Sequence, residues 1–205
     1  MARKWLIPVL LIVAFLQLLA VGERIYRYES VLSHGKRFLF KTAPVDPYDL
    51  FRGRYVAVSQ ENLKIPIEEG RAEDFPYRSV AWAQLAVGPD GFARFASISR
   101  ERTGGDEVKV RVAWAGQDSE SHFAALGPNL ERPRKPGYFV NIEPPFDRYY
   151  MNEKSAPKAE SAYRRASRDN ACLAVRVADG VGVIEELLID GMPVRQWLEK
   201  NPDGR

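Results

Sequence analysis

Within nine residues the chain places Asp46, Asp49, Arg52 and Arg54. Two readings of that group stand side by side. Carboxylates accept nearby N–H bonds, so Asp46 before Pro47 opens a turn and Asp49 caps a short one ending at Gly53. The same four charges also suit a polar surface patch that binds a partner. His34 and His122 lie 88 positions apart and read as solvated polar residues. Cys172 sits inside an apolar alternating run and reads as a small buried residue rather than a nucleophile. No HExxH, CxxC, P-loop, GxGxxG or GxSxG pattern occurs, so neither a metal nor a cofactor is expected. Glu68-Glu69 and Glu185-Glu186 are adjacent pairs. On a strand adjacent side chains face opposite ways, which makes them poor acid–base partners and points to a solvated edge.

The elements that would position these groups are mostly strands. Alternation marks 37–42, 54–60, 79–87, 91–100, 107–116, 137–143, 171–178 and 182–190. Gly88-Pro89-Asp90-Gly91 and Asp179-Gly180 join two pairs of them as hairpins. Residues 61–77 read as a long loop or short helix, and 117–136 as a loop. Pro157 starts a helix with Ser155 as its cap and Ala159, Ala162, Tyr163 and Ala166 on one face. A closing helical turn or two over 192–200 packs Val194, Trp197 and Leu198. The expected fold is mainly β (α+β): an N-terminal transmembrane helix, then one antiparallel curled sheet or partly open barrel with one or two helices.

The N-terminus has a different composition. Arg3 and Lys4 precede an apolar run from Trp5 to Gly22, interrupted by Pro8 and Gln17. Eighteen residues of helix span about 27 Å, close to the ~30 Å of a bilayer core. Residues 1–22 read as a transmembrane anchor, 23–36 as a juxtamembrane stalk, 37–200 as the β-rich domain and 201–205 as a tail. Cleavage as a signal peptide after Gly22 is the rival reading. A short N-terminus before a long domain favours an inner-membrane, single-pass protein with its domain on the periplasmic, extracytoplasmic side. Residues 5–22 would then contact lipid.

Charge excludes other classes. The chain has 205 residues, 45% hydrophobic and 28% charged, with a formal net charge of +3. Two of its 30 cations and none of its 27 anions lie in residues 1–22, leaving 28 against 27 beyond. That balance gives no electrostatic footprint for nucleic acid. The clusters Arg132–Lys135 and Arg164–Arg168 lack the interleaved aromatics that stack bases and read as solvated charge. A single cysteine excludes a disulfide framework.

The stretch Pro44-Val45-Asp46-Pro47-Tyr48-Asp49-Leu50-Phe51-Arg52-Gly53-Arg54-Tyr55 resembles the signature of the GDYXXLXY family of bacterial membrane-anchored proteins. Gly53 and Tyr55 match that pattern, whereas Arg54, Val58 and Gln60 stand where it has Asp, Leu and Tyr. Arg148-Tyr149-Tyr150 and Leu188-Ile189-Asp190-Gly191 resemble its C-terminal half. The resemblance implies an envelope location, no particular reaction, and a multi-pass membrane protein as partner.

The expectation for function is therefore a non-catalytic binding or scaffolding domain. Its site residues would be Asp46, Asp49, Arg52, Gly53, Arg54, Tyr55 and Arg148. An envelope hydrolase is the alternative, since signal peptidases share the layout of anchor and β-domain. Their Ser-Met pair is missing here: Ser30 precedes Val31 and Ser33 precedes His34, although Lys109 has the place of a strand-borne base. A small-ligand or glycan binder using exposed Trp and Tyr is the third class.

Overall fold

A computed structural model describes residues 3–43, 55–60, 63–117, 137–152, 155–166 and 170–201. Helix α1, Arg3–His34, is followed by strands β1, Lys36–Ala43, β2, Tyr55–Ala57, β3, Ser59–Gln60, and β4, Lys64–Ile67. A 3-10 turn over Arg71–Asp74 leads to β5, Val80–Val87, β6, Ala93–Ser99, β7, Glu107–Gln117, β8, Tyr138–Glu143, and β9, Arg148–Tyr150. Helix α2, Ala156–Ala166, precedes β10, Ala171–Ala178, β11, Val181–Ile189, and β12, Met192–Pro193, and α3, Val194–Lys200, follows.

Helix α1 is long and apolar enough to cross a membrane. Pro8 and Gly22 lie inside it without ending it, and residues 23–34 continue the same helix. Gly35 stops it, as its position suggests. The Gly35 N–H donates to the Val31 carbonyl at 2.8 Å. A Cβ on Gly35 would lie 2.4 Å from that oxygen and 3.1 Å from the Val177 nitrogen, so only glycine lets β10 approach so closely.

The strands form two five-stranded antiparallel sheets and a two-stranded ribbon. One sheet runs β12-β11-β10-β1-β3 and the other β4-β8-β7-β5-β6, while β2 pairs with β9. In the second sheet β4, first in order, lies against β6, the last, so the sheet curls into a nearly closed barrel. The two sheets meet where Val108 bridges Gly180 and the Lys109 N–H donates to the Gly180 carbonyl at 2.9 Å. Alternation explains the core. Val108, Val110 and Val112 turn inward from β7 onto Ala81 and Ala83 of β5, and Phe40 packs against Phe95 and Phe146 with centroids 5.5 Å apart.

Both turn-based hairpins form as read. Asp179 and Gly180 take φ of 50° and 74°, the left-handed pair that a tight two-residue turn needs. Asp190-Gly191 repeats this geometry and joins β11 to β12, a third hairpin not foreseen. Helix α2 buries Ala159, Ala162 and Tyr163, and Ala166 in part, the expected face. On α3, Val194 is buried and Trp197 and Leu198 pack beside it.

Two expectations need correction. The run 54–60 is not one strand. The Val58 N–H still donates to the Asp147 carbonyl in the β2–β9 register, and Ser59–Gln60 then crosses over to pair with β1. The run 61–77 contains an edge strand, β4, rather than only loop or helix. Pro66 is tolerated there because an edge strand can lack one donor. The loop expectation for 118–136 lies outside the described residues.

Candidate functional site

Most of the anticipated patch, namely Asp46, Asp49, Arg52, Gly53 and Arg54, lies outside the described residues, as do His122 and Arg132–Lys135. Tyr55 and Arg148 are described, and the β2–β9 ribbon brings their backbones near each other: Tyr55 faces Tyr150, and Arg148 faces Ala57. Arg148 is half-buried, with Nε 3.5 Å from Asp147 Oδ2.

The segment Pro145–Arg148 forms a ridge between two grooves. Its position follows from local chemistry. Pro144 and Pro145 end β8, and Phe146 drops into the core. The side chain of Gln60, itself buried, donates from Nε2 to the Phe146 carbonyl at 2.9 Å. That bond satisfies a carbonyl that the ladder cannot reach.

The first groove, about 730 Å³, is lined by Arg24, Lys109, Arg111 and Arg148 together with Glu143 and Asp147. The second, about 750 Å³, runs between Tyr28 of α1 and Tyr149, Tyr150, Glu186 and Arg195. Among the described residues, neither lining contains a serine, threonine, cysteine or histidine.

Electrostatics of the second groove centre on Tyr149. Its hydroxyl donates to Glu186 Oε1 at 2.5 Å. Burial, and then the neighbouring Glu186 carboxylate, push the phenol up to about 12. Glu185, the residue that the β10–β11 register skips, also lines this groove, but it is not simply solvated as expected. Arg37 Nε lies 2.6 Å from Oε2, and Arg176 Nη2 2.7 Å from Oε1. Burial works to raise its pKa, yet these bonds outweigh it and hold the carboxyl below its ordinary range. Arg176 also donates to the Gly35 carbonyl at 3.0 Å, tying the end of α1 to the sheet.

The remaining candidates are distributed elsewhere. His34 is exposed near the Ser30 carbonyl, and Ser33 donates to the Glu29 carbonyl. Cys172 is half-buried, with burial pushing its thiol up, which disfavours a thiolate. Arg164 pairs with Glu160 on α2, matching the solvated-face reading. Among the described residues no three His, Cys, Asp or Glu side chains gather as a metal site requires. Sequence reasoning misses Arg24 and Arg111 as groove residues, and it reads Glu186 as part of a solvated edge, whereas Glu186 accepts from Tyr149. A clue existed in the spacing of Lys109 and Arg111, which puts two cations on one strand face.

One apolar N-terminal helix carrying a mainly β domain with two open grooves at the base of the helix defines the class. The family model described as GDYXXLXY protein matches residues 17–187, and the chain belongs to that family. No curated protein and no solved structure matches the chain.

Proposed function

We propose that α1 anchors the chain in the inner membrane and that the β-domain, on the extracytoplasmic side, binds or scaffolds another membrane protein without catalysing a reaction. One observation carries this reading. The groove beside β9 is walled by Tyr28 of α1, so a partner filling it would already lie next to the helix that enters the bilayer. Tyr150 stands at this groove with 65% of its surface exposed, a large amphipathic side chain of the kind that anchors interfaces.

A photo-crosslinking amino acid at Tyr150, in full-length protein in native membranes, tests this. The expected result is a discrete adduct with an integral membrane protein. A chain that crosslinks to no polypeptide from this position, although folded and membrane-bound, would overturn the partner reading.

A further inference from the structure

We propose that the first groove holds the phosphate of an anionic lipid headgroup, drawn from the leaflet in which α1 ends; this rests on the reading that α1 spans a bilayer. The argument begins with height. Arg24 lies two residues beyond Gly22, the last residue of the apolar run, or about 3 Å further along the axis. That is where a bilayer's hydrocarbon gives way to headgroups. Arg24 lines the same groove as Lys109 and Arg111, so the fold brings two strand-borne cations to this level.

Charge follows. Lys109 and Arg111 both point outward from β7, about 7 Å apart along the strand. None of Arg24, Lys109 and Arg111 makes an ion pair with a described residue. Arg148 completes the lining and is engaged by Asp147. Four cations against two carboxylates leave the groove net positive. Cations near a charged bilayer surface each contribute about 1 kcal/mol of attraction to anionic lipid.

Shape separates a lipid from a free anion. Beside Arg111 on the neighbouring strand stands Val80, half its surface exposed, and Leu63 and Pro145 continue an apolar shoulder. A phosphate ion has no use for that shoulder. A headgroup with its glycerol and first methylenes covers it and removes apolar surface from water.

The test uses the full chain, purified in mild detergent with added phosphatidylglycerol or phosphatidylcholine and read by native mass spectrometry. Wild type is expected to retain phosphatidylglycerol preferentially. Lys109→Glu/Arg111→Glu is expected to lower that retention about tenfold or more. Arg24→Ala should lower it less, and Arg165→Glu on α2 should leave it unchanged. These side chains are exposed, and a thermal melt checks that each variant is folded. Equal retention of both lipids by wild type, or unaltered retention by the double variant, would overturn the inference. Displacement of the lipid by millimolar inorganic phosphate alone would assign the groove to a free anion and overturn it as well. Carbonate extraction of membranes reports on α1 separately. A chain released by carbonate fails the anchor reading and the inference with it, whereas a chain retained in membranes without lipid preference fails the inference alone.

Discussion

The indole of Trp82 lies against Gly180, so close that a Cβ on the glycine would stand 2.2 Å from the ring. Gly180 also has φ of 74°, and its carbonyl takes the Lys109 N–H that joins the two sheets. Three demands therefore meet at one residue without a side chain. Gly180→Ala is expected to lose about 1–3 kcal/mol from the backbone alone, with the displaced indole adding to it. Urea unfolding of the full chain in detergent would show a lower midpoint with an unchanged slope.

Glu107 gives a pH prediction. The side chain is fully buried, yet it receives Arg102 Nε at 2.9 Å, the Thr103 N–H at 3.0 Å and the Thr103 hydroxyl at 3.1 Å. Burial acts to raise its pKa, but these hydrogen bonds prevail and lower it below the ordinary carboxyl value. A lowered native pKa means that the stabilisation is complete above the unfolded value and is lost as pH falls through the native one. Stability should therefore decline on acidification below the ordinary glutamate pKa. Glu107→Gln should be less stable at neutral pH by about 1–3 kcal/mol and show a shallower acid dependence in melts between neutral and acidic pH.

Tyr149 has the opposite sign. Its pKa is raised to about 12, so the stability it contributes is complete below about 10 and is lost as pH rises through about 12. In an absorbance titration of phenolate, one tyrosine should ionise well after the exposed ones. Tyr149→Phe should remove that late step. Glu186→Gln removes the carboxylate that holds the proton in place and should bring it to lower pH.

At the junction of helix and domain, Gly35→Ala would force its new methyl onto the Val31 carbonyl and the β10 backbone. The expected outcome is a domain that still folds around its core but sits loosely on α1. Limited proteolysis should then cut near residue 35 faster than in wild type, while Gly22→Ala, which has open space around it, should cut no faster.

What could be read in the amino-acid pattern was local. Asp179-Gly180 and Gly88–Gly91 announce their turns because positive φ selects particular residues, and β5 to β7 alternate because one face is buried. The break at Val58 had no such local cause. It comes from long-range pairing, because Ser59 and Gln60 find Ala43 and Thr42 of β1 as their partners. Pro66 disfavours a strand when only its neighbours are considered, and the place of β4 at a sheet edge removes that objection. The grooves are the least visible feature. Arg24, Lys109 and Arg148 come from a helix, a strand and a ribbon, and nothing in the spacing of three such distant residues brings them together. Arg148 stands out in the sequence only through the family-like Arg148-Tyr149-Tyr150 segment, not through its chemistry.

The unbroken course of α1 from Arg3 to His34 has a mechanical meaning. On the reading that α1 spans a bilayer, a helix that continues past the end of its apolar run, and is then tied at Gly35 by Arg176, offers no swivel between membrane and domain. Bilayers of different thickness tilt a spanning helix by different amounts. Such tilt would pass along the shaft and turn the β-domain with it.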